Sequence, residues 1–410
     1  MRLLAEGTVN MIFLYALVIA SIIAQMLVVY LVIRNYRYVL RKSDRNRTTY
    51  CPKTSLIIPC KGIDTEFEKN IASFYELDYS DYEIIFVTES KDDSAYNRLL
   101  EIKEKLKNKT TAFNISVVVA GVSEKGSQKL HNQLFGCAAV QKDTQIFAFA
   151  DSDACVRHNW LNELVYPLRK DKHGISSGYR WYVPMKNNFA TIALSIINAK
   201  VAQLLGATIF NHAWGGSMAV QVDVFKKLGM DKIWRSAASD DLTLSRAAKK
   251  EGLKVVFAPA CFVASYEQTS LPSFFEFARR QFLLTRVTAF GTWSFGFMSA
   301  LYSVLALWGF IAIAICLKVR GVENWYIFLL MALLSLSGQF FTAALRQKMI
   351  YEIFPADWHR LKAAAIADIA AGPVWSLLVL FCIIISSVGR TIKWRGVTYK
   401  LESPTEVTRI

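Results

Sequence analysis

An uncharged apolar run over residues 11–33, Met-Ile-Phe-Leu-Tyr-Ala-Leu-Val-Ile-Ala through Leu-Val-Ile, limits this chain more than any other feature. A helix that crosses a bilayer needs ~20 such residues, because lipid leaves every backbone N–H and C=O to be satisfied within the helix. Arg34, Arg37, Arg41, Lys42, Arg45 and Arg47 follow at once. Basic residues of this kind stay on the cytoplasmic side, so the N-terminus is expected outside and the remainder inside. A cleaved signal peptide is the rival reading, but the run is too long and no small-residue cleavage site follows it. An uncleaved anchor fits better.

Beyond the anchor the chain has two characters. Over residues 51–270, strand-like runs at 55–59, 83–87, 116–119, 146–150 and 255–258 alternate with helical stretches at 66–74, 95–106, 129–140 and 242–251. That alternation predicts an α/β domain with a largely parallel sheet. Apolar character returns over 271–410, and it brings the hydrophobic share to 53% of 410 residues. Such a chain is too long for one ordinary domain and too apolar for a wholly soluble one. Residues 273–290 mix aromatics with Arg279, Arg280 and Arg286, as an amphipathic helix lying in the membrane interface does. Runs at 295–317 and 325–345 are expected to span, with Trp293 and Trp325 as interfacial anchors. The run 363–388 is harder to read, since Gly372-Pro373 interrupts it and Asp368 lies inside. It is either re-entrant or a full crossing that puts the basic tail 390–400 outside, against the charge rule. A further apolar stretch, 189–210, sits between segments of one domain and is expected as a membrane-lying or core helix. The expected division is an anchor and basic linker (1–50), a cytoplasmic α/β domain (51–270), and an interfacial helix with a C-terminal membrane region (271–410).

The formal charge of +15 crowds at the membrane borders 34–47, 346–348 and 390–395, which favours contact with an anionic leaflet. No nucleic-acid motif accompanies it. Seven scattered cysteines (51, 60, 137, 155, 261, 316 and 382), never spaced Cys-x-x-Cys, read as reduced thiols without a zinc site. The five histidines show no ligand spacing either.

Chemistry concentrates on carboxylates. The run Ile146-Phe-Ala-Phe-Ala150 stops on Asp151-Ser152-Asp153. A strand ending so presents both side chains at the sheet edge where open α/β folds bind ligands, and hard oxygens there suit Mg²⁺ or Mn²⁺ on nucleotide phosphates. Asp240-Asp241 opens a helical pattern; it is either a plain helix cap or, if near that edge, a source of a general base. Glu89 and Asp92-Asp93 follow the second strand, as solvated turn residues or as acceptors for a nucleotide's base and ribose. Lys61 ends the first strand region and either reaches a phosphate or is a surface lysine. Trp214-Gly215-Gly216-Ser217 is a turn, or a place where backbone comes close to a ligand.

Several of these segments, taken in order, resemble ceramide glucosyltransferases, membrane GT-A glycosyltransferases of the family 2/21 type. They are Pro59-Cys60-Lys61-Gly62-Ile63-Asp64, Phe74-Tyr75-Glu76-Leu77-Asp78-Tyr79 with Tyr82-Glu83, and Lys91-Asp92-Asp93-Ser94-Ala95. Lys129-x-x-Asn132, Asp151-Ser152-Asp153, the Asp-Asp element before Gly252, and the tail Trp394-Arg395-Gly396-Val397-Thr398-Tyr399 continue the similarity. It covers about 50–400. The resemblance implies a GT-A catalytic domain on the cytoplasmic side, transferring a sugar with inversion from a UDP-sugar, usually UDP-glucose, to a lipid hydroxyl, ceramide above all. By the same resemblance Asp92 helps hold the nucleotide, Lys129 belongs to the nucleotide-sugar site, and Asp151 and Asp153 serve the metal diphosphate. Asp241, which keeps the family's spacing to Gly252, would be the base. The family also carries Gln-x-x-Arg-Trp on the interfacial helix, engaging diphosphate and acceptor. Here Arg280-Gln281-Phe282-Leu283-Leu284 keeps the Arg-Gln start but goes on apolar, and the positions three and four after Gln281, where Arg and Trp are expected, hold Leu284 and Thr285. Arg279, Arg280 or Arg286 is then the candidate replacement for the lost charge. Two other readings are a processive polysaccharide synthase of the same superfamily and a non-catalytic nucleotide-binding membrane scaffold.

Overall fold

The computed structural model describes residues 2–43, 47–394 and 396–410, with side chains from residue 12 onward; Arg45 and Arg395, named above, lie outside it. Helix α1 (Arg2–Ser43) leads to strand β1 (Thr54–Pro59), then α2 (Phe67–Ser73), β2 (Tyr82–Thr88), α3 (Ser94–Leu106), β3 (Asn114–Val119), α4 (Gln128–Ala138) and β4 (Ile146–Ala150). Next come α5 (Trp160–Val165), β5 (His173–Pro184), α6 (Phe189–Ala202), β6 (Ser217–Gln221), α7 (Val222–Lys227), α8 (Met230–Ile233), α9 (Asp240–Lys250) and β7 (Lys254–Glu267). The seven strands form one sheet in the order β3-β2-β1-β4-β6-β5-β7, parallel except that β6 opposes both β4 and β5. Strands β1, β2 and β4 are almost wholly buried. Layers cover both sheet faces, so these strands read as unbroken apolar runs and not as alternating ones.

After the sheet, α10 (Leu271–Thr288) precedes α11 (Phe290–Val304), which continues through one π turn into α12 (Phe310–Val319). Then follow α13 (Trp325–Ile353), α14 (Trp358–Ala370) and α15 (Gly372–Ile385). Among the described residues, three helices are long and apolar enough to cross a membrane: Ile12–Ser43, Phe290–Val319 and Trp325–Ile353. The stretch 189–210 is not among them. Its helical part, α6, buries most of its residues, and Ser195 Oγ donates to the Tyr182 carbonyl at 2.8 Å. It is a core helix between the sheet and the apolar helices.

The remaining run is broken at Ala371, where α14 and α15 meet at 91°. Both outer ends of the bent pair come back to the α/β domain. At the start of α14, Leu361 shares a core with Val39 of α1 and Trp181 and Phe257 of the sheet, joined by Ile350 and Ile353 of α13. At the end of α15, Ser386 Oγ accepts a bond from Trp293 Nε1 at the start of α11. The turn between α12 and α13 lies at the opposite end, where Asn324 meets Tyr15 at 3.1 Å.

The last element, expected only as a basic tail, is a three-stranded antiparallel sheet of β8 (Thr391–Trp394), β9 (Val397–Ser403) and β10 (Glu406–Arg409). It folds back onto α10 and the α/β domain. Ile392, Tyr399, Leu401 and Val407 enclose Leu283, and the Val407 N–H donates to the Ser236 carbonyl at 2.8 Å.

Candidate active site

Parallel pairing of β1 with β2 and β4 brings their C-terminal ends to one edge, with Pro59 beside Val87 and Ile57 beside Phe149. Residues just past those ends therefore share one crevice. Asp151 follows β4 directly. Two capped helices aim further charge at it. Ser127 caps α4, whose first turn carries Lys129, and Ser239 caps α9, whose first turn carries Asp240 and Asp241.

Lys129 Nζ lies 2.7 Å from Asp151 Oδ1 and 3.0 Å from Asp240 Oδ2, so one ammonium ties the strand end to the helix start. Gln133 Nε2 donates to the same Asp240 oxygen at 2.9 Å, and Asp240 is 4% exposed. Asp240 is thus occupied as a structural partner. Asp241 is more open. Its Oδ2 accepts the Gly215 N–H at 3.2 Å and its Oδ1 accepts Ser239 Oγ at 2.5 Å. Burial, and then the charge of Asp240, push the Asp241 carboxyl up to about 6. A carboxylate that basic remains ionised at neutral pH and takes a proton more readily than an ordinary one.

The glycines beside these acids follow from crowding. A Cβ on Gly215 would lie 2.3 Å from Asp240 Oδ2, and one on Gly216 would lie 2.7 Å from Asp151 Oδ2 and 2.1 Å from the Trp214 ring. The Trp-Gly-Gly-Ser segment is therefore the place where backbone passes between the two acidic pairs.

Sequence reading missed Arg180, on β5. Its guanidinium lies 3.3 Å from Asp151 Oδ2 and 3.7 Å from Asp153 Oδ2, 4.6 Å over the Trp214 ring, and donates to Tyr182 Oη at 2.8 Å. The signal available was an arginine inside the strand-like run Gly178-Tyr-Arg-Trp-Tyr-Val183, where the two-residue period puts Arg180 and Tyr182 on one face. Arg180 lies just beyond the stretch of β5 that pairs with β6, opposite Val263 of β7, and its contacts with Asp151 and Asp153 put that face on the crevice.

A second polar patch lies at the same edge. Lys61 Nζ pairs with Glu89 at 2.8 Å, and Asp93 accepts the Gly62 N–H at 2.9 Å while capping α3. Asp92 beside it is exposed. The contacts seen for Arg280 run elsewhere, to the Lys393 carbonyl and the Trp394 ring, and Gln281 is exposed on the same helix. Arg279 donates to the carbonyls of Thr391 and Val388, and Arg286 to those of Ser387 and Gly389. The expectation that one of these arginines supplies a charge to the phosphate site is not met for Arg279 and Arg286, which cap the end of α15 and the start of β8. Leu283 is apolar because it plugs the core of the C-terminal sheet with no exposed surface.

Asp151 and Asp153 fit a hard divalent cation on two counts. Asp153 Oδ1 is buried with no hydrogen-bond partner among the described residues, and burial raises its carboxyl despite Arg180. The cluster also holds four carboxylates (Asp151, Asp153, Asp240, Asp241) against two cations (Lys129, Arg180), which leaves room for a charge of +2. Among the described residues no group of three His, Cys, Asp or Glu side chains is placed to hold a metal ion. Such an ion would draw its other ligands from phosphate oxygens and water, as Mg²⁺ commonly does.

Among solved structures, the mannosyltransferase PcManGT from Pyrobaculum calidifontis, in complex with GDP-Man and Mn²⁺, is similar at 15% identity. That likeness has a TM-score of 0.47 and covers 91% of this chain and 97% of the other. The model of the family described as Glycosyl transferase family 21 matches residues 13–407, taking in the first apolar helix, the acidic edge and the C-terminal sheet. An α/β domain with convergent acids, joined to apolar helices and matched nearly end to end, is a member of that family: the chain belongs to glycosyl transferase family 21.

Proposed function

We propose that the protein is an inverting membrane glycosyltransferase that moves a hexose from a UDP-sugar to a lipid hydroxyl, with ceramide as the leading acceptor. The observation that carries this reading is the placement of Asp241, half-buried and raised to about 6, in the same cluster as Lys129, Asp151 and Arg180. The reaction is a single displacement. The lipid oxygen attacks the sugar's C1 while the bond from C1 to the diphosphate oxygen breaks, and Asp241 takes the hydroxyl proton. Lys129 faces the diphosphate, and the patch of Lys61, Glu89 and Asp92 at the neighbouring strand ends receives the base and ribose. Asp151 and Asp153 would hold Mg²⁺ or Mn²⁺, which supplies charge neutralisation for the leaving group. A positioned base contributes ~10²–10⁴-fold to rate.

Membrane topology follows from the same architecture. Helix α1 crosses once and the pair formed by α11–α12 and α13 crosses out and back, so the α/β domain and the start of α14 share a side. The bent pair α14–α15 begins and ends at that domain, which supports a re-entrant hairpin and keeps the basic C-terminal tail on the domain's side. The positive-inside rule then makes that side cytoplasmic. Three parts follow: residues 1–50 as anchor and linker, 51–270 as catalytic domain, and 271–410 as interfacial helix and membrane region, whose final strands return to the catalytic domain.

Mass spectrometry of membrane lipids from cells with and without the gene, and with Asp241→Asn, tests the reading. A hexosyl lipid present only with the wild-type gene is the expected result. The same lipid at wild-type level from Asp241→Asn removes the base assignment, and its absence with the wild-type gene removes the proposed reaction.

A further inference from the structure

We infer that Arg180 is a shared counter-ion: it competes with the divalent cation for Asp151 and Asp153, and it turns to the donor's diphosphate when that cation takes the two carboxylates. The inference rests on the nucleotide-diphosphate reading above and deepens it.

Four observations lead to it. First, Arg180 bridges the two acids through separate nitrogens, NH2 to Asp151 at 3.3 Å and NH1 to Asp153 at 3.7 Å. These distances are long for charge-assisted bonds, which run near ~2.8 Å, so the guanidinium is held loosely by the acids. Second, its plane is fixed by other means. It lies over Trp214 and Tyr182 and donates to Tyr182 Oη at 2.8 Å, contacts that survive a change of carboxylate partner. Third, Trp214 heads the Gly215-Gly216 segment whose N–H touches Asp241. The guanidinium therefore sits between the acids of the strand end and the segment holding the base, where the bond to the leaving group must lie. Fourth, Arg279 and Arg286 of α10 are spent on backbone carbonyls. Lys129 and Arg180 are then the two cations seen inside the acidic cluster, and Lys129 is already divided between Asp151 and Asp240.

The chemistry follows from charge and shape. A planar fork with five N–H donors matches diphosphate oxygens in a way a single ammonium does not. A divalent ion and a guanidinium cannot hold the same carboxylate oxygens without mutual repulsion. Arrival of the ion at Asp151 and Asp153 weakens the hold on Arg180, and the diphosphate offers it a replacement partner. Arg180 thereby opposes binding of the metal alone and favours binding of metal and diphosphate together.

The test measures binding as well as turnover, in detergent-purified full-length protein. Titrations of Mn²⁺ alone, read by electron paramagnetic resonance, are compared for wild type, Arg180→Gln and Arg180→Lys. The same proteins are then titrated with UDP and with inorganic pyrophosphate at saturating Mn²⁺. Removing one positive charge a few ångström from the ion should tighten Mn²⁺ binding by about tenfold or more, and should weaken UDP and pyrophosphate by a similar factor. Arg180→Lys, which keeps charge without the fork, should leave Mn²⁺ binding near wild type and still lose diphosphate affinity. Arg180→Gln with unchanged or weaker Mn²⁺ binding, or with undiminished pyrophosphate binding, overturns the inference. If Arg180→Gln does not fold, Arg180→Lys decides alone, and pyrophosphate affinity equal to wild type refutes the assignment. Wild type that binds pyrophosphate with Mn²⁺ but not UDP would sink the UDP-donor reading and leave Arg180 judged on pyrophosphate.

Discussion

Acidifying the medium should switch off sugar transfer with a midpoint set by Asp241. Its carboxyl is raised to about 6, first by burial and then by the charge of Asp240. A base works only when ionised, so its contribution is lost as pH falls through that value. About nine tenths of the sites are ionised one unit above the midpoint and about one tenth one unit below it. Between pH 7 and pH 5, kcat/KM should thus fall about tenfold, whereas a carboxylate of ordinary pKa would lose less than about a tenth of its activity. The second cause can be removed separately. Asp240→Asn deletes a like charge next to the base, which favours ionisation, so the midpoint should move down. Burial remains, so it should not reach the ordinary carboxylate range. The assay is glycolipid formation in lipid nanodiscs from about pH 4.5 to about pH 8, with UDP affinity followed in parallel to separate base ionisation from donor protonation. A wild-type midpoint near 4, or one unmoved by Asp240→Asn, would refute the assignment of Asp241 and its coupling to Asp240.

Four other outcomes follow from the same geometry. Asp153→Ala should abolish any strengthening of UDP binding by Mn²⁺, because the buried Oδ1 is lost; equal strengthening in mutant and wild type, by calorimetry, contradicts the metal role. Gly216→Ala should lower kcat more than about tenfold and lower the melting temperature as well, since its Cβ collides with the largely buried Trp214 ring and with Asp151; wild-type kcat would contradict that crowding. Leu283→Arg should cost about 3 kcal/mol or more by burying an unpaired charge in the core of the C-terminal sheet, seen as easier proteolysis of residues beyond 390; wild-type resistance would contradict that packing. A tag after Ile410 and a single accessible cysteine in the α/β domain should react with impermeant reagents from the same membrane side; opposite sides would rule out the re-entrant hairpin.

Much of the acidic edge was legible in the sequence because its signals are local. A buried strand ending in Asp-x-Asp and a capped helix beginning with Asp-Asp are short patterns, and parallel pairing of β1, β2 and β4 then brings separate loops together. Arg180 was not readable in that way. Its role depends on β5 being set between β6 and β7, pairings between segments far apart in the chain that no local period encodes. The C-terminal sheet escaped for a related reason. Its strands do alternate, as in Val397-Thr-Tyr-Lys-Leu-Glu402, but they are only four to seven residues long and follow directly on an apolar run, so their basic residues read as a membrane flank. Their stability comes from a tertiary partner, Leu283 of α10. Leu284 and Thr285 in place of the family's Arg and Trp read as a loss at a phosphate site, and in the structure Leu284 instead packs beside Leu283 against an added sheet.

That sheet also bears on how the bent helical pair is held. A hairpin that dips toward a bilayer and returns cannot rely on apolar burial alone, because its lipid-facing and protein-facing surfaces are alike. Two specific anchors are present. Arg346 of α13 donates to Asp368 of α14 through Nε at 2.8 Å and NH2 at 2.7 Å, and Gln347 adds a bond at 2.7 Å. Both ions are almost fully buried, so separating them would strand a charge, and α14 is fixed against α13 three residues before the break. The other end is fixed by Arg279 and Arg286, which bond the carbonyls leaving α15 and entering β8. With both ends pinned, the interfacial helix α10 is clamped between the bent pair and the C-terminal sheet. Helix α10 starts four residues after β7, which pairs with the Arg180 strand. The acidic crevice is thus tied, through β7 and α10, to the long apolar helices, and on the proposed reading a lipid hydroxyl would reach Asp241 only at the depth this clamp allows.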